Sequence, residues 1–70
     1  MNEPTVTTVH TESREFVDHT PYGDFPVTIT LVVSKQVWPA DAGIYANKSY
    51  RLVNTYRNGQ LMDASSSPWI

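Results

Sequence analysis

The chain has 70 residues, of which 40% are hydrophobic and 17% charged, with a net charge of −2 and no cysteine. A chain this short forms one domain at most and has a thin core. Its composition is globular rather than disordered, and the lack of cysteine excludes disulfides, thiolate metal sites and a cysteine nucleophile. We predict a loose N-terminal tail over residues 1–4 and a single small β domain over residues 5–70.

The strand-forming residues dominate the composition. Threonine, valine and isoleucine contribute 8, 8 and 3 residues, and 8 more are aromatic. These residue types favour the extended backbone, and no window shows the spacing of an amphipathic helix. We therefore predict an all-β, mainly antiparallel sheet of about four strands, either a curled sheet or a small barrel.

The first predicted element covers residues 5–17, where valine and threonine alternate irregularly. A short helix is an alternative over residues 11–19, because Thr11 is a favourable N-cap and both Glu12 and Glu15 suit a first helical turn. The irregular alternation does not separate the two. We favour the strand and keep the helix as the alternative.

A turn and then the clearest strand follow. Residues 20–26 predict the turn, since Pro21 fixes one φ angle and Gly23 accepts a positive one. Along residues 27–37 apolar side chains occupy every second position until Lys35 interrupts them. This alternation predicts a strand with one buried face. The apolar positions are Val27, Ile29, Leu31, Val33 and Val37.

The C-terminal part predicts a hairpin. Asn58-Gly59 is the favoured pair for a two-residue type I′ turn, in which both central residues need positive φ. The turn joins a strand over residues 50–57 to a return strand over residues 60–64, and residues 65–70 look like a loop. We expect the face with Tyr56 and Leu61 to be buried. The predicted cross-strand pairs are Arg57–Gln60, Tyr56–Leu61, Thr55–Met62 and Asn54–Asp63.

The sequence offers little catalytic chemistry. His10 and His19 are the two near-neutral acid–base groups, and their spacing from carboxylates matches no metal-ligand pattern. No serine stands in a Gly-x-Ser-x-Gly turn, and no glycine-rich phosphate loop is present. We predict a protein that is not an enzyme and binds no metal and no cofactor.

Aromatic and basic residues are concentrated in the second half of the chain. Two interpretations stay open: a minimal aromatic core, or an exposed platform that stacks on sugars, bases or partner side chains. We predict that these side chains bind the ligand or partner. They are Trp38, Tyr45, Tyr50, Arg51, Tyr56, Arg57 and Trp69.

Residues 38–70 resemble, weakly, the small chitin-binding type of carbohydrate-binding module. The resemblance rests on Tyr45-Ala46-Asn47-Lys48-Ser49-Tyr50, then Tyr56, then Ser65-Ser66-Ser67-Pro68-Trp69. In that family a glycine usually stands where Asn47-Lys48 begins the turn, and paired surface aromatics replace Leu52–Thr55. The resemblance implies carbohydrate binding through an aromatic face.

Charge is distributed unevenly along the chain. Residues 1–25 carry five acidic groups and one basic group, or −4, whereas residues 26–70 carry two acidic and four basic groups, or +2. Four basic residues neutralise too few phosphates to hold nucleic acid, so we predict no nucleic-acid partner.

The predicted function is stoichiometric binding to another protein, in the style of a phage- or mobile-element-encoded inhibitor or virion component. The alternative is the carbohydrate-binding module. A thin core also predicts a homodimer, formed through edge strands or through the Trp69-Ile70 tail. Without a signal peptide or a long apolar run, we expect a cytoplasmic or virion-associated protein with no membrane contact.

Overall fold

A computed structural model describes residues 3–69, which form one four-stranded antiparallel sheet in the order β1-β2-β3-β4. The predicted mainly-β antiparallel sheet of four strands is confirmed, and the sheet is open rather than closed into a barrel. Of the predicted tail, Met1 and Asn2 lie outside the described residues, as does Ile70 at the other end. The strands are β1 (Thr5–Thr20), β2 (Gly23–Val37), β3 (Ser49–Arg57) and β4 (Gln60–Pro68), with a 3-10 turn at Gly43–Tyr45.

The first strand is long and contains a β-bulge. Residues 11–19 pair with β2 throughout, so the helix alternative is wrong. The register shifts between Thr8 and His10, which pair with Ser34 and Val33, and Val9 is the extra residue. A bulge moves all following side chains to the other face of the sheet. This explains why the valines of β1 show no regular alternation in the sequence.

The turn between β1 and β2 is shorter than predicted. It consists of Pro21 and Tyr22 alone, and residues 23–26 already belong to β2. The Thr20 hydroxyl closes the turn, because it donates to the carbonyl oxygen of Gly23 at 2.7 Å and accepts from the Tyr22 N–H at 3.2 Å. The predicted positive φ of Gly23 is present, at 130°.

The β1–β2 hairpin extends beyond the rest of the sheet as a two-stranded arm, residues 16–27. Pairing between β2 and β3 begins only at Ile29, so in the arm β2 has a neighbour on one side alone. Pro26 is tolerated there, because a proline without an N–H fits a strand whose second edge is unpaired. The arm contributes to an elongated molecule measuring 54 × 18 × 18 Å.

The predicted type I′ turn is present at the C-terminal hairpin. Asn58 and Gly59 have φ angles of 49° and 81°. Asn58 also extends the sheet towards the arm: its N–H donates to the Thr28 carbonyl oxygen, and its Oδ1 accepts from the Thr28 N–H, both at 2.8 Å. One turn residue therefore satisfies both backbone groups of a residue in the neighbouring strand.

The register of this hairpin is confirmed next to the turn and wrong beyond it. Tyr56 pairs with Leu61 and Arg57 with Gln60, as predicted. A second bulge makes Met62 the extra residue, so Asp63 pairs with Thr55 instead of Asn54, and Ala64 pairs with Asn54. The strand β4 then continues to Pro68, because β3 offers a free edge along its whole length. The predicted loop-like tail is therefore strand.

The two faces of the sheet are distinguished by the numbering of β2. We call the odd face the one with Val27, Ile29, Leu31 and Val33, and the even face the opposite one. Among residues 3–69 only Val27, on the odd face, and Ser34, on the even face, are buried, at 2% and 6% exposure. Of the other positions predicted to be buried, Ile29, Leu31 and Val33 are partly buried, whereas Val37 is 39% and Leu61 53% exposed. A single-layer sheet has no second layer to cover either face.

Candidate functional site

An aromatic corner lies on the even face at the end opposite the arm. It consists of Trp38, Tyr45 and Tyr50 with Gln36 and Ser66, which line a groove of about 370 Å³. The Trp38 and Tyr45 rings are stacked with centroids 5.1 Å apart, and Tyr45 meets Tyr50 edge-on at 6.4 Å. The corner therefore combines three rings, with Tyr45 in contact with both of the others, and two side chains that can form hydrogen bonds.

The loop between β2 and β3 positions this corner. The Trp38 N–H donates to the Lys48 carbonyl oxygen at 2.9 Å, which continues the strand pairing by one residue. The 3-10 turn then brings Tyr45 back over Trp38, and Asn47 reverses the chain with a φ of 60°. Asparagine tolerates this left-handed conformation better than most residues. The backbone conformation of the loop therefore sets the position of Tyr45.

A second cluster lies on the odd face at the same end of the sheet. The Lys35 Nζ and the Arg51 Cζ each lie 5.1 Å from the ring centroid of Trp69. Lys35 and Arg51 are cross-strand partners, and the Trp69 N–H donates to the Ser49 carbonyl oxygen at 3.0 Å. Two cations therefore share one ring. Sequence reasoning missed Lys35 as a member of this cluster, and only the register of β2 on β3 identifies it.

The remaining predicted site residues lie elsewhere. Tyr56 is on the even face, two rows from Leu52, whereas Arg57 is on the odd face and forms an ion pair with Asp18 of the arm at 3.6 Å. Both side chains of that pair are nearly half exposed, so the contact stabilises the fold by at most about 1 kcal/mol. The seven predicted binding residues thus occupy two opposite faces and not one platform.

Charged residues are segregated between the two faces. Of the nine charged residues on the strands, seven share the odd face by register and two, Glu15 and Asp24, share the even face. From Thr30 to Gln36 the even face carries no charged strand residue. The seven on the odd face are Glu12, Arg14, Asp18, Lys35, Arg51, Arg57 and Asp63.

The two histidines form separate, exposed pairs. His10 Nε2 lies 3.0 Å from Glu12 Oε1, and His19 Nδ1 lies 2.8 Å from Asp24 Oδ1. His10 pairs with Val33 in β2, so the two sites are about 30 Å apart along the sheet. Within residues 3–69, no group of three histidine, aspartate or glutamate side chains is placed to hold a metal ion.

No family model, curated protein or solved structure matches this chain. Among the residues that the structure describes, no helix is long and apolar enough to cross a membrane.

Proposed function

We propose that the chain is a binding protein and that another protein packs on a face of its sheet. It acts stoichiometrically rather than as a catalyst. The observation that carries this proposal is the near absence of a core: within residues 3–69, Val27 is the one buried apolar side chain. A sheet normally buries one face against a second layer. Here that layer has to come from outside the four strands.

The apolar side chains left in water support a protein as the missing layer. Phe16, Phe25 and Val17 of the arm, and Leu61 and Met62 of β4, are each at least half exposed. Phe16 and Phe25 share the odd face of the arm, whereas Val17 and Leu61 lie on the even face. Groups of exposed apolar side chains are typical of interaction surfaces. The histidine–carboxylate pairs support binding over catalysis, since both are open to solvent and too far apart to act on one substrate.

Photocrosslinking tests this proposal. A benzophenone amino acid would replace Phe25 on the arm or Leu61 on β4, in cells that produce the chain. We expect each position to form a covalent adduct with a protein that mass spectrometry identifies. Ile44 is the matched control, because it is 80% exposed but lies in the 3-10 turn and not on the sheet. Adducts that are equally frequent from Ile44, or absent from both sheet positions, would contradict the proposal.

Carbohydrate binding is the second candidate function, and the aromatic corner favours it. Stacked rings beside a glutamine amide and a serine hydroxyl supply both the apolar contact and the hydrogen bonds that a sugar ring requires. The residues behind the chitin-binding resemblance are divided, however, because Trp69 lies on the opposite face from Tyr45 and Tyr50.

A glycan array followed by titration with chitin oligosaccharides tests the second candidate. Trp38→Ala should abolish binding, and Trp69→Ala is the control because it removes the same ring from the other face. Circular dichroism establishes that both variants keep the sheet. Binding that survives Trp38→Ala, or that is lost equally in both variants, contradicts a sugar site in the aromatic corner.

A further inference from the structure

The edges of the four-stranded part of the sheet are poorly suited to pairing with another strand. The outer strand β1 is broken by the bulge at Val9, and the outer strand β4 is broken by the bulge at Met62 and ends at Pro68. Bulges and prolines on outer strands prevent edge-to-edge association. The missing layer is therefore expected on a face.

The odd face carries two neighbouring rows of opposite charge. An acidic band is formed by Glu12 on β1 and Asp63 on β4, which share one row across the sheet. A basic band is formed by Arg14 on β1 and Arg57 on β3, in the row two residues further along β2. The bands lie about 7 Å apart. Within residues 3–69, no ion pair joins one band to the other.

We propose that a second copy of this chain packs on the odd face, related by a two-fold axis that runs perpendicular to the strands at the level of Thr30. This inference rests on the proposed function, in which a protein covers the sheet. An axis between the two bands places the acidic band of each copy over the basic band of the other. Glu12 then faces Arg14 twice, and Leu31 faces Ile29 twice, by symmetry.

The same axis matches the remaining rows of the odd face. Val33 of one copy faces Val27 of the other, so the apolar column of β2 packs against itself. Lys35 faces the row of the arm that contains Phe25 and Asp18. A cation therefore meets a carboxylate and an aromatic ring at each end of the interface.

Other arrangements place like charges together. A two-fold axis parallel to the strands would lay β1 over β4, with Glu12 over Asp63 and Arg14 next to Arg57. Opposed like charges reduce affinity and select against such a register. On the even face, the four-stranded part carries no charge that could set an orientation. The charge pattern therefore favours one face and one axis.

The arrangement also accounts for the arm. A two-stranded hairpin is marginally stable in water, and the arm would lie on the four-stranded part of the partner. Overlap from Phe25 to Lys35 spans about 33 Å along the strands and gives a planar footprint of roughly 450 Å² per copy. This is at the low end for specific interfaces and is typical of weak association.

Charge reversal with mixing of variants tests the inference. In the Glu12→Arg variant, positions 12 and 14 are both cations. In the Arg14→Glu variant, both positions are carboxylates. Each variant alone should be monomeric in sedimentation equilibrium, with association weakened at least tenfold relative to the wild type. An equimolar mixture of the two should form a heterodimer, because residue 12 of each copy then again faces a residue 14 of opposite charge.

Glu15→Arg is the matched control, since Glu15 lies on the same strand but on the even face. It should associate like the wild type. A wild-type chain that stays monomeric at several hundred micromolar would overturn the inference, as would a mixture that does not associate or a control that dissociates like Glu12→Arg. Circular dichroism on each variant separates loss of association from loss of folding.

A second measurement keeps the test valid if the charge variants do not fold. The chain has no cysteine, so a short bismaleimide should crosslink Leu31→Cys to Ile29→Cys between copies, whereas it should not join Val32→Cys to Thr30→Cys on the even face. Equal yields from both mixtures contradict the odd-face dimer. If the purified chain is monomeric but Phe25 and Leu61 still crosslink to a different protein, the dimer fails and the proposed function stands.

Discussion

Substitutions of Asn58 can separate the energetic contribution of its side-chain hydrogen bond from that of its left-handed backbone conformation in the turn. Its Oδ1 accepts from the Thr28 N–H at 2.8 Å, at the point where the arm leaves the four-stranded part. Asn58→Gly keeps the left-handed backbone and removes this bond. Loss of one such bond costs about 1 kcal/mol, and the freedom of glycine in the unfolded chain adds about 0.5 kcal/mol.

Two further substitutions at the same position complete the series. Asn58→Ala removes the bond and also places a Cβ-bearing residue with no local polar compensation at a φ of 49°, which adds about 1 kcal/mol. We therefore expect a total loss of about 2 kcal/mol for Asn58→Ala, against about 1.5 kcal/mol for Asn58→Gly. Asn58→Asp keeps both the acceptor oxygen and the tolerance of positive φ, so it should stay within about 0.5 kcal/mol of the wild type.

The assay is chemical denaturation followed by circular dichroism, at one fixed protein concentration because association contributes to stability. Asn47→Gly is the control: Asn47 has a similar φ of 60°, but no side-chain hydrogen bond is seen for it within residues 3–69. Amide exchange at Thr28 should accelerate in Asn58→Gly and not in Asn47→Gly. If Asn58→Gly is as stable as the wild type, or Asn58→Ala equals Asn58→Gly, the reasoning is refuted.

Three further predictions concern stability. Val27→Ala should cost about 1.5 kcal/mol in denaturation, since it removes two buried carbon groups, whereas Val9→Ala at the half-exposed bulge should cost less than about 0.5 kcal/mol. Trp69→Ala should cost about 1 kcal/mol through two lost cation–π contacts, and unchanged amide exchange at the end of β4 would contradict this. Trp38→Ala should cost about 1 kcal/mol and increase the mobility of the Tyr45 ring in NMR spectra; an unaltered ring signal would exclude the stacking as its anchor.

The parts of the fold that were predictable from the sequence are those set by neighbouring residues. Asn58-Gly59 specifies a type I′ turn locally, and that turn fixes the first two pairs of its hairpin. Nothing local in the sequence marks the bulges: the one at Val9 depends on a partner strand far along the chain, the one at Met62 depends on the pairing of β4 with β3, and each changes the register of everything beyond it. The length of β4 was missed for the same reason.

The alternation of side chains along a strand determines which face each predicted binding residue of β3 occupies. Tyr50 and Arg51 are consecutive, as are Tyr56 and Arg57, so neither pair can place both side chains on one face. Their division between faces was therefore predictable, although the sequence suggested a single platform. The meeting of Lys35 with Arg51 and Trp69 was not predictable, since it needs the register between three strands.

The apolar alternation of β2 still indicates a face that packs against another layer, although the single chain leaves that face partly exposed. A strand with apolar residues at every second position predicts a covered face, yet Phe25 at the arm end of the odd face is half exposed. On the same face, Arg57 forms its ion pair with Asp18 of the arm. A second layer packed on this face would account for the apolar alternation of β2. Since the charged rows on that face are complementary to themselves under one rotation, a second copy of the chain is the occupant that we propose for that layer.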